Sequence, residues 1–238
     1  MSEAEAKRNA SGIHPLDDVV WNALGATHKR FALGDSGAVR YQADVAPYAA
    51  TADSSPESFA ALRSLIDAHG PLTLVTADDI VPPPGFSVTR RAVLLQMIWQ
   101  GTLDRHEESR HVRLSVADVP AMLSLITATR PGPFGPRTIE LGSYFGVRSQ
   151  DDLVAMAGER MRLDGFTEIS AVCVDAAFRG RGHAAGLMKL LISTITARGE
   201  TPFLHVFTSN QTAISLYRTL GFVDRREMHL TGLDRAQS

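Results

Sequence analysis

"VDAAFRGRGHAAGLMKLLI", residues 174–192, sets a turn rich in glycine and arginine between an apolar run and an amphipathic one. The preceding "TEISAVCV" (167–174) reads as a strand rich in β-branched residues. After the turn, Leu187, Leu190, Leu191 and Ile195 recur on one helical face, and Gly199 closes it. The unit is strand, glycine-rich turn, helix. Such a turn aims several backbone N–H groups at one point, and the helix dipole makes that point attractive to an anion. Phosphate or pyrophosphate binding is the chemistry on offer.

Three readings of the turn compete. A helix start with no ligand needs nothing beyond these glycines. A dinucleotide fold would use Gly180-x-Gly182-x-x-Ala185. Against it, "DAAF" separates the strand from the glycines, and Glu200 precedes "FLHVF" where an acid should end that strand. A coenzyme A pyrophosphate site is the third reading. No Gly-Lys-Ser/Thr follows, which excludes a nucleoside-triphosphate P-loop.

The whole chain narrows the partners. It has 238 residues, 44% apolar and 21% charged, with a net charge of -2. That is ordinary globular composition, without the basic excess of a general nucleic-acid binder. The lone Cys173 excludes an internal disulfide and a cysteine-rich zinc site, and no metal is expected. "MSEAEAKRNASG" is too polar for a signal peptide, and runs such as "AVLLQMIW" are too short to span a bilayer. The expectation is a cytoplasmic protein with neither nucleic acid nor membrane as partner, either a monomer or a homodimer.

Working outward, residues 1–12 read as a disordered tail. Residues 13–105 read as an α/β domain. In it "PESFAALRSLIDAHG" is a helix with Pro56 in its first turn and Gly70 as its stop, and "PLTLVTA" is a strand. "RRAVLLQMIWQG" is a buried strand or a short helix, which periodicity does not separate. "GTLDRHEESRH" is a polar linker. Residues 106–238 form the second domain. There "SVADVPAMLSLITATRPG" is a helix, and "GSYFGVRSQDDLVAMAGERMRL" is a hairpin with strands at 144–148 and 153–161.

Residues 111–230 resemble the GNAT acyltransferase superfamily. Arg179-x-x-Gly182-x-Ala184 fits the family's Arg/Gln-x-x-Gly-x-Gly/Ala turn. "FLHVFTSNQTAISLYRTLGF" (203–222) is similar to the family's strand, asparagine, tyrosine-bearing helix and Gly-Phe. "VAMAGERM" resembles the hairpin before its central strand. The resemblance implies an α/β (α+β) fold with a mixed, mainly antiparallel sheet. Its central strand should end near Val174 and splay from "FLHVF". Residues 13–105 match nothing so specific, and a degenerate copy of the same fold is one expectation for them.

The resemblance also implies an N-acetyltransferase. Acetyl-CoA would be the co-substrate, and a primary amine of a small-molecule or amino-acid-like acceptor would attack directly. The alternative is a non-catalytic acyl-CoA-binding sensor or interaction module. Backbone groups of Val172, Cys173 and Val174 would lie beside the thioester arm. Gly180, Arg181, Gly182, His183, Ala184 and Ala185 would cradle the pyrophosphate, with charge added by Arg179 and Arg181. Nothing nearby activates the Cys173 thiol as a nucleophile.

An alkylamine titrates near ~10, so transfer benefits from a base, through water. Glu168, at the start of the central strand, is the first candidate; its plain reading is a solvated strand-end carboxylate. His205, on the next strand, is the second; its plain reading is a packed, hydrogen-bonded histidine. Tyr217 is the acid candidate, able to return a proton to a thiolate whose thiol titrates near about 8.5; its plain reading is a core tyrosine. Asn210 caps the following helix, bonds the pantetheine arm, or does both. The N-terminal half and the loop "TATRPGPFGPRTIELG" are expected to shape the acceptor pocket.

Overall fold

The computed structural model describes residues 14–102 and 111–236. The expected tail at 1–12, and residues 103–110 of the expected linker, lie outside the described residues. The chain divides into two compact units. One holds Met1–Ala43, Pro47–Leu94 and Glu227–Ser238, and the other holds Asp44–Ala46 and Leu95–Arg226. The sequence reading sets its boundary at 105/106. The compact units change instead at Leu95 and again at Glu227, inside two long strands that each carry residues of both units.

The first unit contains helices α1 (Val19–Gly25) and α2 (Pro56–His69). Its short strands are β1 (Ala32–Gly34), β2 (Ala38–Tyr41), β3 (Tyr48–Thr51) and β4 (Leu72–Thr76). β1, β2 and β3 pair antiparallel in turn, β3 pairs parallel with β4, and residues 229–233 run antiparallel to β4. Ser55 starts α2 by accepting from Ser58 N, while Pro56 in the first turn and Gly70 at φ 78 as the stop stand where the sequence marks them. Phe59, Leu62, Leu65 and Ile66 pack against Leu72, Leu74 and Leu233. The buried Arg40 is satisfied by carbonyls, among them Gly70 O at 2.7 Å, so its charge anchors the end of α2.

The two long strands are β5 (Phe86–Trp99) and β11 (Phe222–Arg235). "RRAVLLQMIWQG" is therefore a strand. In the second unit it stands between β10 (Thr201–Phe207) and β11, and an apolar run suits a strand with neighbours on both sides. Gln100 N donates to Gly221 O, and Trp99 Nε1 to Leu220 O. The rest of that sheet follows as β9 (Phe166–Val174), β8 (Asp152–Leu163), β7 (Tyr144–Ser149) and β6 (Val112–Arg113). β6 to β9 pair antiparallel, whereas β9 and β10 are parallel. Asp164-Gly165 makes the two-residue turn between β8 and β9, with Gly165 at φ 76.

Helices cover both faces of this sheet. On one, α4 (His183–Thr196) lays Leu187, Leu191, Ile192 and Ile195 against Val154, Ile169 and Leu204. On the other, α3 (Val119–Thr129) packs Met122 and Leu125 with Tyr144, Met156 and Cys173. A Ser115/Asp118 capping box fixes the start of the turn that leads into α3. α5 (Gln211–Thr219) precedes Gly221 and β11. No helix among the described residues is long and apolar enough to cross a membrane.

Gly158 on β8 is where the hairpin tolerates no side chain. A Cβ there would lie 2.2 Å from Cδ1 of Tyr144. That ring is 1% exposed and held edge-on by Phe134 at 5.6 Å, so it has little room to give. Gly158→Ala is expected to destabilise the protein by ~1–3 kcal/mol through overpacking. Urea unfolding measures this, and an unchanged midpoint would show that the Tyr144 ring can shift freely.

Candidate active site

β9 and β10 pair only at their starts. The parallel rungs run from Phe166–Thr201 to Glu168–Phe203. Beyond them β9 continues to Val174 and β10 to Phe207. Within the gap, β9 carries a bulge: its register against β8 shifts between Met156 and Gly158, and Ala171 adopts φ 53. A non-glycine residue in that region is uncommon, and a bulge takes one residue out of the ladder and bends the strand. The central strand thus parts from β10 and turns its backbone at Ala171 and Val172. Val172 and Val174 are half-buried, and Cys173 is buried beside Met156. Burial pushes the Cys173 thiol up to about 11, so it is a poor nucleophile.

The glycine-rich turn follows the end of β9. Asp175 Oδ1 accepts from Ala177 N at 2.9 Å and shapes the approach. Gly180 and Gly182 have φ 73 and 78, where a side chain is strained, and a Cβ at either would meet nothing within 4 Å. Gly182 is the N-cap of α4, and no side chain caps that helix. The first N–H groups of α4, through His183, Ala184 and Ala185, have no side-chain cap and lie at the positive end of the helix dipole. An anion could be held there by these backbone N–H groups. Arg179 Nε lies 3.4 Å from Val174 O, and Arg181 is tied to Ala177 O at 3.2 Å with its guanidinium over the Phe178 ring. Both are exposed and leave cationic groups beside the turn. His183 and Arg181 also line a cavity of about 330 Å³ with His111 and Arg148.

Glu168 is not at a solvated strand end. It is fully buried, and its carboxylate accepts from Arg160 Nε at 2.8 Å and Nη2 at 2.6 Å. His205 Nδ1 lies 2.8 Å from the same carboxylate. Burial pushes the carboxyl up. The Arg160 charge and hydrogen bonds, with those of His205, more than reverse this and bring it down to about 2. A carboxylate this acidic and enclosed is a weak proton acceptor. The two residues that the sequence offers as rival bases are thus one hydrogen-bonded pair.

His205 is 3% exposed at its side chain. Its Nε2 lies 2.9 Å from Gln96 Nε2, and Gln96 Oε1 accepts from Arg225 Nη1 at 2.6 Å. Arg160, Gln96 and Arg225 escape the sequence reading. For Arg160 a signal exists: Asp164-Gly165 is a strong hairpin turn, and folding β8 onto β9 about it brings Arg160 across from Glu168. For Gln96, one amide inside an apolar run gives no comparable signal.

Tyr217 packs edge-on against Phe222 in the core below α4. Burial, with the nearby Cys173, pushes its hydroxyl up to about 12. Handing its proton to a thiolate whose thiol titrates near about 8.5 is then uphill by ~5 kcal/mol, steeper than for an ordinary phenol. Asn210 does cap α5, its Oδ1 accepting from Ala213 N at 3.2 Å.

Residues 144–230 match the FR47-like protein family. The chain is similar to the N-alpha-acetyltransferase RimI of Mycobacterium tuberculosis, with 33% identity covering 56% of this chain and 86% of that protein. It is similar to the [ribosomal protein bS18]-alanine N-acetyltransferase of Salmonella typhimurium, with 31% identity covering 46% of this chain and 77% of that one. A crystal structure described as a GNAT-family acetyltransferase, from Novosphingobium aromaticivorans, is 41% identical with a TM-score of 0.88. The match covers 94% of this chain and 100% of that one.

The buried pair makes a pH prediction. The Glu168 carboxyl is held at about 2, below its ordinary 4.5, so its contribution to stability is full above pH 4.5 and is lost as pH falls toward 2. Glu168→Gln leaves Arg160 buried without its anion and is expected to cost roughly 3 kcal/mol at pH 7. The gap to wild type should hold down to about pH 4.5 and close below it. Denaturant unfolding at a series of pH values checks this, and a gap independent of pH would contradict the ion pair.

Proposed function

The chain belongs to the GNAT family of N-acetyltransferases, and on that premise we propose that it moves an acetyl group from acetyl-CoA to the α-amine of an amino-acid-like acceptor. The neutral amine attacks the thioester directly. One observation carries this reading: β9 loses its pairing with β10 past Glu168, and the strand is followed by the glycine-rich turn that starts α4. A slot for a thioester arm and a cradle for a pyrophosphate would then lie on consecutive elements.

The turn from Gly180 to Ala185 holds the pyrophosphate through N–H groups, with Arg179 and Arg181 adding charge. Backbone groups of Val172, Cys173 and Val174, on the free edge of β9, bond the arm. His205, oriented by the Glu168 carboxylate, is the proton acceptor for the amine, directly or through water. Tyr217 donates a hydrogen bond to the departing sulfur, which leaves as the thiolate, and the proton that His205 takes from the amine passes to solvent and balances it. Asn210 caps α5 and offers its amide N–H groups to the arm.

The sequence favours a small acceptor, whereas the Salmonella relative is named for a ribosomal protein. An α-amine is common to an amino-acid-like molecule and a chain N-terminus, and a peptide series separates the two. The second reading, an acyl-CoA sensor, keeps the turn but has no use for the His205–Glu168 pair.

Thiol release from acetyl-CoA tests the proposal against alanine amide, peptides beginning with alanine, and simple alkyl diamines. Release is expected with the α-amine acceptors, and the length preference decides between free molecule and chain terminus. Tyr217→Phe should lower kcat by about 10²-fold or less with little change in acetyl-CoA affinity. Stabilisation by acetyl-CoA with no thiol release from any amine would favour the sensor.

A further inference from the structure

Arg160, Glu168, His205, Gln96 and Arg225 come from five successive strands of the second unit, β8, β9, β10, β5 and β11. Their side chains form one line of hydrogen bonds. Its directions follow from chemistry at the ends. A guanidinium only donates, so Arg225 must meet the oxygen of the Gln96 amide. The amide nitrogen then faces His205 Nε2, and an amide NH₂ only donates. Nε2 must therefore accept, with its lone pair and no proton. At the other side an ionised carboxylate, held by Arg160, accepts from Nδ1. Glu168, Arg160 and Arg225 are the charged groups in this line, and the Phe203 ring lies edge-on to His205 at 5.8 Å.

We propose that Gln96, aligned by Arg225, is a positioning residue that locks His205 as the neutral ring with its proton on Nδ1, covering the Nε2 lone pair until the acceptor displaces the amide. A second proton on Nε2 would face the donors of the Gln96 amide. That amide cannot turn to offer its oxygen without losing Arg225. Protonation of His205 thus requires a break at Gln96, either from the ring or from Arg225. The role of Nε2 as proton acceptor rests on the function proposed above; the lock does not. The strand that supplies Gln96 lies upstream of residues 144–230, so the segment matching the FR47-like family lacks this part of the arrangement.

Nitrogen-15 NMR of the histidine rings tests it without any substrate, with His205→Gln identifying the signal. At pH 7 the wild type is expected to show one ring proton, on Nδ1, and a bare Nε2. Gln96→Glu puts an acceptor against Nε2 and should give a ring with both protons, with a kcat/KM that declines at higher pH than in wild type. Arg225→Met frees the amide to turn and should weaken the preference in the same direction; it guards against misfolding of the buried Gln96→Glu variant. A proton on Nε2 in the wild type, or unchanged ring signals in both variants when folded, would overturn the lock. A correct tautomer with no acetyl transfer to any amine would leave the lock standing and remove the function proposed for it.

Discussion

Glu168 is the point at which three strands are tied together. Nε and Nη2 of Arg160 on β8 and one ring nitrogen of His205 on β10 reach its carboxylate on β9. Its own rung with Phe203 is the last one between β9 and β10. The strands are thus held by a buried, charge-assisted bond where their backbone pairing stops. A buried ion pair contributes little net stability against an apolar replacement, yet losing one partner is strongly destabilising because the other charge stays uncompensated. That asymmetry makes the parting of the strands a fixed feature. The bulge at Ala171 follows from the same demand, since a strand leaving one neighbour must bend against the other.

Sequence and structure agree best where local chemistry fixes the backbone. Gly180 and Gly182 at positive φ, Asn210 as a cap, Pro56 and Gly70 around α2, and the strand–turn–helix unit itself all depend on neighbours within a few residues. Agreement fades where the partner is distant. "RRAVLLQMIWQG" has no period to separate strand from helix, and its place beside β10 depends on residues more than a hundred positions away. Glu168 reads as an exposed strand end because composition cannot show that Arg160 folds over it. Whether a carboxylate is a base or a buried counter-ion depends on its desolvation and partners, and both are tertiary.

In the function proposed above, binding and chemistry fall to different stretches of the chain. Binding would rely on backbone N–H groups and positive φ at the turn, so the arginines beside it can be exposed without harm to the cradle. Chemistry would rely on the buried His205, whose hydrogen bonds to Glu168 and Gln96 hold its orientation. Tyr217 is buried in the core against Phe222, which keeps it a phenol.

In the function proposed above, the open edge of β9 and the start of α4 bind one molecule together. Backbone amide NMR during titration with acetyl-CoA tests it most directly. The amides of Val172, Cys173 and Val174 should shift together with those from Gly180 to Ala185, all saturating with a single dissociation constant. Shifts confined to one of the two groups, or no saturable shift in either, would contradict the account.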